Sequence, residues 1–207
     1  MANKTIIMKK ENLNLLNNKE VIKWCYEPVT EISLVNSSNA AQLKEANDIE
    51  RDWARAVIGG EGNQWTTMLC QDLVMEALIK LGRKNVHSTT SKKSSLRKKK
   101  YDPDLECDEY VYEVKGRSWT TPGTAGEKIL GVPLKYGEVP RLYHKPLQII
   151  LVGYQEYEAK EGFAFGDLLD KNNQTPELQE SLAFYKEQRI EYVGFTDILK
   201  KLGISKD

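Results

Sequence analysis

Cysteine and histidine are both scarce in this sequence. The three cysteines, Cys25, Cys70 and Cys107, are odd in number and widely spaced. A set of this kind is typical of reduced thiols in a cytosolic protein, and it excludes a disulfide framework and zinc-finger spacing. Two histidines, His87 and His144, are too few to hold a metal alone, so we expect both on the surface or in loops.

Long apolar runs and a hydrophobic N-terminal segment are also missing. Mean hydropathy is -0.55, and no stretch approaches the length needed to cross a bilayer. The first residues are polar, with Lys4, Lys9, Lys10 and Glu11, so a signal peptide is not expected. A chain of 207 residues predicts one cytoplasmic domain, in which a helical or arm-like region (1–60) precedes a core (61–207).

Net charge is absent as well, because 30 basic residues balance 30 acidic ones. Their distribution is uneven, however, since the segment 83–100 contains eight basic residues and no acid. Serines and threonines lie between these cations. Such a block is usually a solvated loop, yet cations and hydroxyls also bind phosphate oxygens. Its position just before a charged hairpin favours DNA, with contacts from Lys92, Lys93, Arg97, Lys98 and Lys99.

That hairpin is predicted between residues 101 and 115. Asp104 opens a first strand, Asp108 and Glu109 supply turn chemistry, and residues 110–115 alternate at a period of two with Tyr and Val. Pairing the two strands would bring Asp104 beside Glu113. The plainer alternative is that this segment is only an exposed, charged hairpin.

Two neighbouring carboxylates are costly to desolvate unless they bind something. Mg2+ is a suitable partner, because it takes oxygen ligands and keeps several waters. Asp104, Glu113 and the Val114 carbonyl are the predicted ligands. Lys115 follows on the face of Glu113, where it would orient or deprotonate the attacking water and offset charge on a phosphorane.

Pro103-Asp104 followed by Glu113-Val114-Lys115 resembles the motif of the PD-(D/E)xK nuclease superfamily, which includes most type II restriction endonucleases. The resemblance implies an α/β fold with a restriction-endonuclease-like core, in which a mixed central β-sheet is flanked by α-helices. It also implies an Mg2+-dependent endodeoxyribonuclease that cuts double-stranded DNA.

In this superfamily the helix before the hairpin often supplies another carboxylate. Glu76 is the first choice here and Asp72 the second, while Gln71 stands where a Glu is often found. A solvent-facing Glu76 without a catalytic role is an equal expectation. The fourth acidic position is therefore left open among these three residues.

The Gly- and Thr-rich stretch after the hairpin contains Gly-Thr-Ala-Gly-Glu-Lys-Ile. This run resembles a short motif of some restriction endonucleases at the start of the helix after the Glu-x-Lys strand. A helix N-terminus there would face a phosphate. The predicted DNA contacts are Arg117, Trp119, Thr120, Thr121, Lys128 and Lys135. For Trp119, simple packing is an equal alternative.

Periodicity predicts the remaining elements. They are a short helix before Pro28, a strand at 32–35, a helix at 40–58, a helix that starts at Asn63 or Thr66 and runs to Leu81, a loop at 134–145, a buried strand at 147–154, a short helix or turn at 163–169, a helix at 175–188, a strand at 190–195 and a last helix that Thr196-Asp197 begins and that runs to Leu202. This order fits a mixed sheet between helices.

A type II restriction enzyme is the expected function. A Holliday-junction or repair nuclease, a catalytically inactive DNA-binding module and a structural or interaction protein are the alternatives. One hairpin site cuts one strand, so a double-strand cut at a palindrome predicts a homodimer. The interface is expected on the helix Ala40–Ile58 or on the segment 126–135.

Overall fold

A computed structural model describes residues 14–28, 40–59, 64–94, 96, 98–116, 129–161 and 168–206. A 3-10 turn at Leu15–Asn17 comes first. The helices are α1 (Lys19–Tyr26), α2 (Ala40–Ile58), α3 (Trp65–Lys80), α4 (Val132–Lys135), α5 (Val139–Tyr143), α6 (Tyr154–Glu161), α7 (Pro176–Glu187) and α8 (Phe195–Lys201). The strands are β1 (His87–Ser88), β2 (Lys92–Lys93), β3 (Lys100–Tyr101), β4 (Leu105–Glu106), β5 (Val111–Gly116), β6 (Leu147–Val152) and β7 (Ile190–Gly194).

Five strands form a mixed central sheet in the order β1-β4-β5-β6-β7. The β1–β4 and β4–β5 pairs are antiparallel, whereas β5–β6 and β6–β7 are parallel. Parallel neighbours need crossover connections, and the helical segments between β5, β6 and β7 provide them. The β2 and β3 strands pair separately as a small antiparallel ribbon. The expectation of an α/β fold with a mixed sheet flanked by helices is thereby confirmed.

Alternating side chains of β5 divide the core into two layers. Tyr112 and Val114 pack with the α1, α3 and α8 side chains on one face. Val111 lies on the other face, with residues of α4, α5 and the β6 strand. The side chains of β5 therefore alternate between the two faces of the sheet, as the sequence predicted.

Local chemistry explains several helix boundaries. The Asn18 side chain accepts hydrogen bonds from the Glu20 and Val21 amides at the start of α1. Thr175 caps α7 through the Leu178 amide, and Pro176 occupies the first turn. Gly82 follows α3 with a φ of 80°, a left-handed conformation that favours glycine.

The helix α2 lies against the domain itself. Ala54 is fully buried, and Trp53, Val57 and Ile58 pack on the cluster that contains α3. The Trp53 and Trp24 rings are 5.6 Å apart. The inner face of α2 is thus occupied by its own chain, which limits its use as a subunit interface to the remaining surface.

Some expectations differ from the structure. The predicted loop at 134–145 contains the two short helices α4 and α5, each with a proline in its first turn. The chain continues from β6 into α6, a helix that periodicity did not indicate. The last helix begins after Gly194 and not at Thr196. The predicted strand at 32–35 lies outside the described residues, as does most of the predicted turn at 163–169.

Within the described ranges, every helix is either too short or too polar to cross a membrane.

Candidate active site

The β4–β5 hairpin places Asp104 beside Glu113. Leu105 pairs with Tyr112, and the Cys107 amide donates to the Tyr110 carbonyl at 2.9 Å. The Asp104 amide also donates to the Tyr112 carbonyl, at 3.0 Å, so Asp104 lies at the end of the paired strands and next to the residue before Glu113. The two acidic side chains are near enough for the Glu113 charge to act on Asp104.

Two donors fix the Asp104 carboxylate. The Val114 amide donates to Oδ2 at 2.7 Å, and Gln71 Nε2 donates to Oδ1 at 2.7 Å. The first donor belongs to β5 and the second to α3. Asp104 is thus held between the sheet edge and the helix that covers it, in one orientation.

Glu113 is only 3% exposed and points to the opposite face of β5 from Val114. Its Oε1 forms an ion pair with the Lys115 ammonium two residues later. Its Oε2 is buried with no hydrogen bond of standard length from the described residues, although Tyr136 is close enough to interact with this carboxylate through its hydroxyl. A buried carboxylate with so few hydrogen bonds is uncommon and costly, so a further ligand is favoured there.

The electrostatics of the site are those of two crowded carboxylates. Burial, and then the neighbouring Glu113 charge, raises the pKa of Asp104 to about 7. Lys115 and the hydrogen bonds from Val114 and Gln71 act in the opposite direction. Burial and the nearby Glu113 also raise the pKa of Tyr136, which belongs to the same core cluster as Val111. A bound cation would offset the repulsion between the Asp104 and Glu113 carboxylates.

A hard divalent cation fits this donor set. The N–H and C=O of one strand residue point to the same side, so the Val114 carbonyl faces the gap that its amide shares with Asp104. Asp104, Glu113 and Val114 can then supply three oxygens. No group of three or more His, Cys, Asp or Glu side chains suited to a metal lies within the described part of the chain. Water and phosphate would complete the shell, which is how Mg2+ is usually bound.

The structure does not bring Glu76 to this pair. Its Oε2 accepts from the Leu15 amide at 2.7 Å and the Leu16 amide at 3.3 Å. Its Oε1 lies 3.3 Å from the Lys80 ammonium. Glu76 is 3% exposed and so is not solvent-facing either. It anchors the N-terminal 3-10 turn on α3, and its expected place as a fourth acid is corrected accordingly.

Gln71 is the α3 side chain that does reach Asp104. Five residues separate it from Glu76, which turns the two side chains roughly 140° apart around the helix. Asp72 lies next to Gln71 in sequence, and burial raises its pKa to about 6. The position that the resemblance would give to a carboxylate is therefore filled by a neutral amide.

The basic segment is ordered in part as the β2–β3 ribbon. Lys92 is paired with Tyr101, and Lys93 with Lys100. Lys92 Nζ donates to the Leu142 carbonyl at 3.1 Å and lies 4.3 Å from the Tyr143 ring centre. Lys93, Lys98 and Lys100 are exposed. Lys92 thus anchors the ribbon, while these three cations face solvent.

Several predicted DNA contacts lie outside the described residues: Arg97, Arg117, Trp119, Thr120, Thr121 and Lys128. Lys99 and Lys135 are described. The Lys99 ammonium is 4.9 Å from the Tyr101 ring centre, and that of Lys135 is 4.5 Å from the Tyr136 ring centre.

Two residues near the site were not anticipated. Tyr136 lies in what was predicted as a loop, and no periodicity marks it. Tyr143 donates to the Thr90 carbonyl at 2.8 Å and so holds the chain just before the ribbon. Its position three residues after Pro140 did not indicate this role. Both roles arise from contacts between distant parts of the chain.

Comparison with family models, with curated proteins and with solved structures found no match for this chain.

Proposed function

We propose that this protein is an Mg2+-dependent endodeoxyribonuclease that hydrolyses phosphodiester bonds in double-stranded DNA, and most simply a type II restriction enzyme. One observation carries the proposal: Asp104 and Glu113 share one end of a hairpin, with the Lys115 ammonium on Glu113. A raised pKa at Asp104 and a buried, incompletely hydrogen-bonded carboxylate at Glu113 both favour a bound cation.

Asp104, Glu113 and the Val114 carbonyl would hold the ion. When bound, Mg2+ supplies Lewis-acid polarisation of the phosphate and lowers the pKa of a coordinated water. Val114 and Gln71 fix the orientation of Asp104. Lys115 holds Glu113 and places a positive charge where the phosphorane becomes more negative. Water oxygen would attack phosphorus and give up a proton to the solvent, the bond to the leaving sugar oxygen would break, and that oxygen would take up a proton from the solvent.

Double-stranded DNA is favoured as the substrate by the exposed cations beside the site. Thr89 donates to the Pro103 carbonyl through its hydroxyl, and its amide donates to the Asp104 carbonyl at 3.3 Å. The base of the ribbon is thereby fastened to the residue that opens the hairpin. Phosphate contacts by the ribbon would bring the DNA backbone toward the carboxylate pair.

A digest of several plasmids in Mg2+ or in EDTA tests the activity. Discrete fragments in Mg2+ alone support a restriction enzyme, and cutting confined to branched DNA supports a Holliday-junction nuclease. Glu113→Gln should abolish cutting, whereas Glu109→Gln, an exposed carboxylate in the turn of the same hairpin, should leave it intact. Full cutting by Glu113→Gln would remove the proposal.

A catalytically inactive DNA-binding module is the second candidate. It is favoured by one observation, that Gln71 occupies the α3 position closest to Asp104 where a third carboxylate was expected. Under this alternative the protein binds duplex DNA but cuts no plasmid in Mg2+ or Mn2+. Binding without cutting by the wild-type protein would decide in its favour.

A further inference from the structure

The β2–β3 ribbon has two different faces. In the register of the pair, Lys92 is opposite Tyr101 and Lys93 is opposite Lys100. Tyr101 is 2% exposed and belongs to the core, so its face of the ribbon packs on the domain. Lys93 and Lys100 are on the face that points away.

The outward face carries lysine side chains whose like charges repel each other. Like charges directly opposite each other on paired strands are destabilising. In the described part of the chain, neither Lys93 nor Lys100 has an ion-pair partner, and neither has Lys98 at the turn. A polyanion that bridges these ammonium groups would remove the repulsion.

At the turn of the ribbon, Leu96 projects into solvent. It is 78% exposed, the highest value among the large hydrophobic side chains that the structure describes. Its amide donates to Ser94 Oγ at 3.1 Å, and the Ser94 amide donates to the Lys99 carbonyl at 2.9 Å. The turn is therefore held by its own hydrogen bonds, with the leucine outermost.

The base of the ribbon is fixed close to the candidate active site. Tyr143 donates to the Thr90 carbonyl at 2.8 Å and contacts the Tyr101 carbonyl at 3.4 Å. Lys100 is four residues before Asp104, which limits their Cα separation to roughly 14 Å. The outward face of the ribbon is therefore tied to the same part of the chain as the carboxylate pair.

We propose that the ribbon enters the major groove of duplex DNA, with Lys93, Lys98 and Lys100 on the phosphates and Leu96 against the base edges. The inference rests on the proposed DNA binding and adds the groove and the contact residue. Paired strands lie about 4.8 Å apart, and a two-stranded ribbon fits a major groove about 12 Å wide, where thymine presents a methyl group to an apolar side chain.

A duplex suits this surface better than a membrane does. The lysines alone would suit anionic lipid, but stable membrane attachment needs a wide apolar face or a second anchor. Leu96 is a single side chain among cations and hydroxyls. A single apolar group is enough, however, to contact one thymine methyl between phosphate-bound lysines.

Binding in EDTA tests the proposal without any cleavage. Leu96→Ser should weaken binding to poly(dA-dT) by about tenfold, equivalent to about 1.4 kcal/mol, without changing the salt dependence. Wild-type protein should bind poly(dA-dU), which lacks only the major-groove methyl, several times more weakly than poly(dA-dT), and Leu96→Ser should show no such preference. Phe184→Ser, which changes an exposed apolar residue on α7, is the control and should bind like wild type.

Equal affinity of Leu96→Ser and wild type for poly(dA-dT), or no methyl preference in wild type, would overturn the major-groove contact. Binding to phosphatidylserine vesicles that Leu96→Ser abolishes, without binding to either polymer, would overturn it in favour of a membrane surface. These outcomes are separate from the fate of the nuclease proposal. A protein that binds with the methyl preference but never cuts retains the groove contact and loses the nuclease.

Discussion

Asp104 shows how much depends on single residues in this molecule. Its carboxylate is fixed by a main-chain amide and a glutamine, yet it is crowded by Glu113 and partly buried. The first two contacts favour its ionised form, and the last two favour the protonated form. Burial and Glu113 outweigh the donors, since the pKa is raised to about 7.

This raised pKa predicts a pH-dependent stability in EDTA. Between about pH 4 and pH 7 the folded protein holds a proton on Asp104 that the unfolded chain lacks, so stability falls as the pH rises through this window. Asp104→Asn cannot titrate. The stability of this variant relative to wild type should therefore rise across the window by about 2 kcal/mol and then stay constant.

Urea midpoints of both proteins, measured from about pH 5 to about pH 8, give the comparison. Asp170→Asn, in the turn before α7, is the control. A stability difference between Asp104→Asn and wild type that does not change with pH would contradict the prediction.

Loss of either carboxylate should abolish cleavage while the fold and DNA binding remain. Asp104→Ala and Glu113→Ala each remove one predicted metal ligand, and neither side chain belongs to the apolar core clusters. We expect a loss of at least about a hundredfold in cleavage rate, which is the order expected when metal-assisted charge stabilisation is removed. Circular dichroism and duplex binding in EDTA check that only the chemistry has changed. Cleavage by both variants at the rate of the wild-type protein would contradict the metal assignment.

At the scale of elements, the ribbon separates two kinds of lysine. Lys92 is engaged with Leu142 and Tyr143, whereas Lys93, Lys98 and Lys100 are exposed. These three have no ion pairs among the described residues. The ribbon thus contains an anchor and a charged surface, which sequence composition alone could not distinguish.

Replacing Lys93, Lys98 and Lys100 by alanine should weaken binding to any duplex. Each lost phosphate contact should reduce the slope of log affinity against log salt by about 0.9. Lys92→Met should destabilise the ribbon and change this slope less than the triple variant does. Binding titrations across a range of salt concentrations measure both. An unchanged slope in the triple variant would identify the segment as a solvated loop.

The contact between α3 and β5 depends on a glycine. A Cβ on Gly116 would overlap the Cys70 sulfur, and Cys70 is fully buried. Gly116→Ala should therefore destabilise the protein by about 1–3 kcal/mol through overpacking. Cys70→Ala should relieve part of this cost, so that the double variant is more stable than the sum of the single changes predicts.

Denaturation of Gly116→Ala, Cys70→Ala and the double variant gives the coupling energy. Strictly additive changes would show that the helix and strand separate to accept the methyl group. In that case the contact between Cys70 and Gly116 would not be what holds Gln71 against Asp104.

At the scale of the whole molecule, one site of the kind proposed above would cut one DNA strand. The described chain contains a single paired-carboxylate hairpin, so symmetric cutting of both strands is most simply done by two copies. The α2 helix packs its apolar face inward. Leu134 in α4, by contrast, is 75% exposed, and Leu130 is 40% exposed.

We therefore expect a homodimer on DNA whose interface includes Leu134. Leu134→Lys should shift sedimentation of the protein mixed with a short duplex from two chains per duplex toward one, because a charge would have to be buried at the interface. Ile79→Lys, at an exposed apolar position on α3, is the matched control and should not change it. One wild-type chain per duplex that cuts both strands in a single encounter would contradict the dimer.

The sequence by itself determined the elements whose causes are local. Apolar spacing and capping residues predicted α2, α3 and α7 closely, and the alternation after Asp108 predicted β5. The nearness of Asp104 to Glu113 follows from the hairpin, because a hairpin brings together residues that are near in sequence. The sign of the ribbon's charge was equally a property of the sequence.

Only the tertiary structure decided which side chain of α3 meets the hairpin. The rotation of α3 over the sheet depends on packing such as that between Cys70 and Gly116, and it turns Gln71 toward Asp104 and Glu76 toward the Leu15 amide. The nearness of Tyr136 to Glu113 depends on helices formed within a proline-containing loop. Periodicity within one element cannot specify how two elements distant in sequence are placed, because that placement is fixed by the side chains packed between them.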